Sequence, residues 1–320
     1  MCKELGDPAD LLIEDVPPLD PAAPGRVVVD VKAAGVNFVD ALFVRGKYQI
    51  KPQPPFTPGG EVAGIVRDGG DGVTGFTPGD RVIASCGLGA FAEQVDVAES
   101  SLYPLPGDID FATGATLVQS YATALFSLER RTQLRSGEWV LVLGAGGGVG
   151  RACIDVARHL GGRAIGVASS VEKRRAATEA GAFATIDPTT EDVKTRAREL
   201  SHGGVDVVVD PVGGSLAEPA LRALRTYGRY LVIGFAAGEI PRLPTNQILL
   251  NNRSVIGVDW GAWGMQNPDD NRALVDEAVR LVAEGELHPA KPTVFPLERA
   301  GDVLGDLEQR RIVGKVVLEP

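Results

Sequence analysis

An apolar run, Trp139-Val140-Leu141-Val142-Leu143, ends in Gly144-Ala145-Gly146-Gly147-Gly148-Val149-Gly150. Arg151-Ala152-Cys153-Ile154-Asp155-Val156-Ala157-Arg158-His159-Leu160 follows at once and reads as a helix. A buried parallel strand, a glycine-rich turn and a helix, in that order, form a site for the pyrophosphate of a dinucleotide. Residues without bulk let the backbone approach the phosphates, whose charge then lies on the free N–H groups of the helix start. The best register is A-x-G-x-x-G on Ala145, Gly147 and Gly150, with alanine in the first glycine position. Such a pattern alone is a weak signal; the strand before it and the helix after it give it meaning. The cofactor-contacting segment is therefore Ala145, Gly146, Gly147, Gly148, Val149 and Gly150.

A site for NAD usually places Asp or Glu about 20 residues past the glycines, at the end of the second strand. Here that stretch is Gly166-Val167-Ala168-Ser169-Ser170, with hydroxyls and no carboxylate, and Lys173, Arg174 and Arg175 follow. Small donors and a cation suit a 2′-phosphate, so NADP(H) is expected, with Ser169 and Ser170 among its contacts. The other reading of these bases is a solvated helix face. Glu172 is a carboxylate of the kind that answers a ribose hydroxyl, but it lies past the strand end.

The elements that must position these residues fall in two textures. Up to about residue 117 the chain is rich in Pro, Gly and Val, with strands expected at Arg26–Ala33, Glu61–Arg67, Arg81–Ser85 and Phe91–Val97. That is a β-rich, barrel-like unit. Beyond it, strands at Glu138–Leu143, Arg163–Ala168, Ala182–Ile186, Val205–Val209, Tyr227–Ile233 and Ser254–Val258 alternate with helical patterns, the last of them short and near Thr245–Leu250. Strands joined by crossovers make a doubly wound parallel α/β sheet. After it, helices at about Asn271–Glu284 and Glu298–Arg310 flank Thr293–Phe295, and Lys315–Leu318 closes the chain. A tail of about 60 residues would build only a marginal core, so it is expected to return to the first unit. The expected division is 1–117 with 259–320 around an inserted 118–258.

At 320 residues two domains are the natural expectation. A net charge of −10 argues against a sequence-independent phosphate-binding surface, and so against nucleic acid as partner. No run has signal-peptide or membrane-spanning character, so a cytoplasmic location away from membranes is expected. Cys2, Cys86 and Cys153 are odd in number and scattered, which suits reduced thiols and not a metal knuckle. His159, His202 and His288 have no metal-type spacing.

Several short segments occur in the order found in one family: Gly35-Val36-Asn37-Phe38-Val39-Asp40, Arg45-Gly46-Lys47-Tyr48, Pro58-Gly59-Gly60-Glu61-Val62-Ala63-Gly64 and Pro78-Gly79-Asp80-Arg81-Val82. The glycine turn, Asp210-Pro211-Val212-Gly213-Gly214 and Gly314-Lys315-Val316-Val317-Leu318 continue the series. Over nearly its whole length the chain resembles the zinc-independent medium-chain dehydrogenases/reductases of the quinone oxidoreductase, zeta-crystallin-like type. The resemblance implies a GroES-like catalytic domain split around an inserted Rossmann domain. It places Lys173 on the 2′-phosphate of NADP(H), Thr123 on the nucleotide, and Gly234 and Phe235 beside the nicotinamide. A tyrosine often found near the adenine is replaced around Asp187-Pro188. The resemblance also implies a homodimer, paired through the edge strand Ser254–Val258.

In zinc-dependent relatives a Cys, a His and another Cys or Asp hold the catalytic ion; the matching positions here are Asn37, Gly60 and Gln119. Glycine has no ligand and amides are poor ones, so no metal is expected. Reducing a plain ketone concentrates charge that zinc would stabilise, whereas hydride addition to an enone or quinone spreads it along a conjugated system. A hydrogen-bond donor then suffices, and Tyr48 or Asn37, with Asp40 beside them, would supply it. The alternative is that Asn37 and Asp40 brace a turn and Tyr48 packs. The substrate is expected outside the strand ends, between Gly234-Phe235 and Asn37–Tyr48. Phe38, Phe43, Tyr48, Trp260 and Trp263 would line it, unless they serve the core or a dimer contact. The expected activity is NADPH-dependent reduction of quinones or α,β-unsaturated carbonyl compounds. An enoyl-CoA-type reductase and a nucleotide-binding protein with a structural or sensing duty stay open as alternatives.

Overall fold

The valine-rich runs of the N-terminal third pair into a seven-stranded sheet. In the computed structural model, which describes residues 1–320, its order is Thr293–Pro296, Val316–Glu319, Arg26–Val36, Glu61–Gly69, Arg81–Ser85, Leu102–Pro104. Gln94–Ala98 pairs with Arg26–Val36 off that path. Thr293–Pro296 and Val316–Glu319 run parallel; the other pairings are antiparallel. Arg26–Val36 is the hub. It shifts register between Val28 and Val29 and between Val31 and Ala33, and such irregularities bend a long strand so that it can serve several partners. Its inward side chains Val27, Val29 and Val31 meet Val62, Val66, Val82, Leu102 and Leu318 in one core. The strand ends at Asn37, where the helix Phe38–Val44 begins. Gly35 allows this corner, because a Cβ there would lie 2.0 Å from the Ala115 carbonyl oxygen.

A second sheet of six strands has the order Ser254–Gly257, Leu224–Val232, Val205–Asp210, Trp139–Leu143, Arg163–Val167, Ala184–Ile186, and every pairing is parallel. Trp139–Leu143 is buried at every position, as a central strand covered on both faces must be. Chain order reverses between it and Val205–Asp210, and the crevice outside the strand ends at such a switch point is where α/β sheets bind ligands. The protein is thus a mixed α/β fold with a Rossmann-type sheet and a separate β-rich unit, as the two textures foretold. No helix is long and apolar enough to cross a membrane.

Compactness divides the chain into Met1–Gln119 with Ala290–Pro320 and, between them, Ser120–Pro289. Residues 259–289, expected with the first unit, lie in the second. The cause is local packing. Trp263 stacks on Phe126 with ring centroids 4.7 Å apart, the Trp260 indole N–H donates to Asn271 Oδ1 at 2.9 Å, and the helix Pro268–Ala283 buries Leu274, Val275 and Ala278. Asp155, buried on the helix Gly148–His159, completes the attachment. It accepts the Tyr121 hydroxyl at 2.9 Å, the His288 backbone N–H at 2.5 Å and the Arg158 guanidinium at 2.8 Å. Other expected elements shift by a few residues. The strand expected at Phe91–Val97 is Gln94–Ala98, and the one expected from Tyr227 starts at Leu224, with a register break before Arg229 and a positive φ of 63° at Tyr227.

Candidate functional site

The glycine turn is tight for reasons its sequence dictates. Gly144 turns the chain at φ +61°, and Gly147 is the N-cap of the helix Gly148–His159. A Cβ on Gly150 would lie 2.3 Å from the Gly144 carbonyl oxygen, so only glycine lets helix and turn approach this closely. A Cβ on Gly146 would lie 2.5 Å from Lys173 Cβ and 2.6 Å from its Cγ. The stem of Lys173 therefore lies directly against the turn. Backbone N–H groups in the first turn of a helix have no carbonyl of the same helix to bond, which makes this an anion-binding end.

The segment after the second strand is ordered by capping. The Ser170 hydroxyl accepts the Lys173 N–H at 3.2 Å, and Ser169 stands exposed beside it. Glu172 does not reach for a ribose. Its carboxyl bonds its own backbone N–H and the Ser170 hydroxyl, which hold it below the usual carboxylate range. The three following bases have separate fates: Lys173 on the turn, Arg174 on Asp187 at 2.7 Å, and Arg175 on Glu179 at 2.8 Å. At the far strand ends, Asp210 is buried and fixes the loop Pro211–Gly214. Its Oδ1 accepts the Val212 and Gly213 N–H groups at 2.8 and 2.7 Å, and its Oδ2 accepts the Tyr230 hydroxyl. Gly234 and Phe235 leave the fifth strand here, with the Gly234 N–H on the Asp210 carbonyl at 3.3 Å. Thr123 is buried in the helical segment Val118–Arg131, where its carbonyl accepts the Ser127 hydroxyl.

In the first unit, Asn37 and Asp40 come together in a polar network around two residues to which the sequence alone gives no role, Glu61 and Lys315. Lys315 Nζ donates to Asn37 Oδ1 at 2.6 Å, Glu61 Oε1 at 3.0 Å and the Val36 carbonyl at 3.2 Å. Asn37 Nδ2 donates to the same Glu61 oxygen at 2.9 Å, and the Gln119 backbone N–H donates to the other at 3.0 Å. Both ends of the Asn37 amide are thus engaged. Asp40 is fully buried, with Oδ2 accepting the Asn37 N–H at 2.7 Å and Oδ1 without a partner. Burial pushes its carboxyl up to about 7, against the pull of the Asn37 N–H and the Lys315 charge and with some help from Glu61. Tyr48 is half-buried, with its ring edge-on to Phe43 at 5.1 Å.

A stability test follows from Asp40. Its carboxyl lies above the ordinary value of 3.8, so the folded state keeps a proton that the unfolded chain releases. That contribution is complete at low pH and is lost as pH rises from 3.8 to about 7. Urea midpoints measured across this range should fall with pH, and Asp40→Asn should flatten the slope. A variant with the parent's slope would assign it to other groups.

Two family models match the chain. One described as an alcohol dehydrogenase GroES-like domain covers residues 23–107, and one described as a zinc-binding dehydrogenase covers residues 148–280. Quinone oxidoreductase-like protein 2 of Bos taurus is 40% identical over 99% of this chain and 91% of its own length. The chain belongs to the quinone oxidoreductase family of medium-chain dehydrogenases/reductases. Among solved structures of similar fold, a probable oxidoreductase from Mycobacterium abscessus is 39% identical with a TM-score of 0.89, over 100% of this chain and 97% of that one. The Escherichia coli quinone oxidoreductase complexed with NADPH is 28% identical with a TM-score of 0.89, over 99% and 98%.

The zinc-binding name of one model calls for a test of the donors. The quinone oxidoreductase-like chain has Asn37, Gly60 and Gln119 at the expected ligand positions, and the Asn37 oxygen is held by the Lys315 ammonium. Cys86, near Glu61, is pushed up to about 12 by burial, far from the thiolate a metal would need. No group of three or more His, Cys, Asp or Glu side chains is arranged to hold a metal ion. These residues do not fit a catalytic zinc site.

Proposed function

We propose that this quinone oxidoreductase family member is an NADPH-dependent, zinc-independent reductase of quinones or α,β-unsaturated carbonyl compounds. The observation that carries the reading is the Lys173 stem packed on Gly146, which sets a cation beside an anion-binding helix start. The NADPH complex of the Escherichia coli relative supports the same cofactor. Ala145 to Gly150 would hold the pyrophosphate, Ser169, Ser170 and Lys173 the 2′-phosphate, and Gly234 and Phe235 the nicotinamide, with Thr123 also on the nucleotide. Bound there, the cofactor supplies a hydride.

Tyr48 donates a hydrogen bond to the oxygen on which charge develops, and Phe38 and Phe43 offer it an apolar surround. Asn37 and Asp40 act through position: their network fixes the turn from which the helix Phe38–Val44 starts. The hydride acceptor is conjugated, because charge spread over such a system needs a donor and no Lewis acid. NADPH consumption against quinones, enones, enoyl thioesters and secondary alcohols, with and without a chelator, tests the reading. Quinones or enones should turn over unaffected by chelator; zinc-restored activity, or efficient oxidation of alcohols, would overturn it. Tyr48→Phe should lower kcat by about tenfold or more and leave NADPH affinity unchanged, since the lost hydroxyl acts on the transition state. Unchanged turnover in that variant would make Tyr48 a packing residue.

The edge strand Ser254–Gly257 leaves Ser254, Val255 and Gly257 exposed, and a bare edge of this kind invites pairing. A homodimer joined there is the assembly proposed, and light scattering at micromolar concentration should give twice the 33.6 kDa chain mass. A single-chain mass would refute it. Cys2, Cys86 and Cys153 are free thiols, which suits a reducing compartment such as the cytoplasm.

A further inference from the structure

The adenosine half of a dinucleotide on this sheet belongs over the C-terminal ends of Arg163–Val167 and Ala184–Ile186, on one side of the glycine turn. Those two ends are tied together by the Ala168 N–H, which donates to the Ile186 carbonyl at 3.1 Å. One side chain spans them. Arg174 Nη1 donates to the Ala168 carbonyl at 3.1 Å and to Asp187 Oδ2 at 2.7 Å. Asp187 is itself fixed, since its Oδ1 accepts the Thr189 hydroxyl at 2.6 Å and the Thr189 N–H at 3.0 Å. Its backbone N–H donates to Glu191 Oε2 at 2.8 Å. The guanidinium is therefore held in place with 21% of its side chain exposed.

We propose that the flat face of Arg174, held by Asp187 and the Ala168 carbonyl, is the stacking platform for the adenine ring. Its charge is already matched by Asp187, so a 2′-phosphate would have to displace a carboxylate to claim it. Lys173, one residue earlier, has its stem against the turn itself. What Arg174 offers is its plane, which stacks on aromatic faces in a way a lysine ammonium does not. Arg174 thus serves every adenine nucleotide alike, and discrimination between NADPH and NADH rests elsewhere.

The proposal rests on the cofactor reading above, and calorimetric binding of four ligands separates the two. These are NADPH, NADH, ADP-ribose and reduced nicotinamide mononucleotide, the last without adenine. Arg174→Ala should weaken the first three by a similar factor of about three- to thirtyfold and leave the mononucleotide unchanged. Arg174→Lys keeps the charge and the fold-compatible stem but not the plane, and should show the same loss. A loss confined to NADPH would overturn the proposal in favour of phosphate recognition. Full affinity in Arg174→Lys, or an equal loss for the mononucleotide, would overturn it as well. If the unaltered protein bound none of the adenine ligands, the cofactor reading itself would fall, and this proposal with it.

Discussion

Replacing Lys315 with methionine is expected to lower the unfolding free energy of the first unit by about 3–5 kcal/mol. Methionine fills the space of the lysine stem but leaves Glu61, 2% exposed at its side chain, without its cation. Asn37 Oδ1 loses its donor in the same step. The remaining bonds from Asn37 Nδ2 and the Gln119 N–H are not enough, because breaking a buried pair leaves a charge that water cannot reach. The double variant Glu61→Gln with Lys315→Met removes both charges and should recover much of the loss, since neutral partners avoid the desolvation cost. Denaturant unfolding of the four proteins of this cycle measures the coupling. A single-variant loss below about 1 kcal/mol would put the pair in the class of surface ion pairs and sink the prediction.

Lys173→Ala should weaken NADPH by about ten- to a hundredfold, about 1.5–3 kcal/mol, and leave NADH almost unchanged. The backbone of the segment should survive, because the Ser170 cap uses the Lys173 N–H and not its amine. No neighbouring base stands ready to replace it: Arg174 is matched by Asp187 and Arg175 by Glu179. The selectivity of the two affinities is the informative quantity. Equal losses for both nucleotides would show that Lys173 shapes the turn and does not read the phosphate.

The Rossmann sheet was legible because its strands announce themselves. Trp139–Leu143 is a continuous apolar run, Arg163–Val167 and Val205–Asp210 are apolar apart from Arg163, Asp206 and Asp210, and all three lie within a residue of where the pattern puts them. The turn was legible because crowding at Gly146 and Gly150 leaves glycine no substitute. The polar network was not legible. Glu61 and Lys315 sit in segments that carry the family resemblance, yet 254 residues separate them and no spacing rule connects such a pair. Asn37 and Asp40 were read either as chemistry or as the brace of a turn, and in the structure they meet in one polar network, which only tertiary contacts could show. The placement of residues 259–289 failed for a related reason. Trp263 on Phe126 and His288 on Asp155 are long-range contacts that a tail of ordinary amphipathic helices does not advertise.

Asp155 gathers Tyr121, near the start of the second unit, and His288, at its end, onto a single carboxylate. The entry and exit of the inserted segment therefore lie side by side. An insertion whose ends meet costs its host no more chain entropy than a short loop, whatever the length in between. The same closeness makes the segment Ser120–Pro289 a portable cassette. A circular permutant cut at a surface loop and rejoined across Tyr121 and His288 is therefore expected to keep the strand order of this sheet.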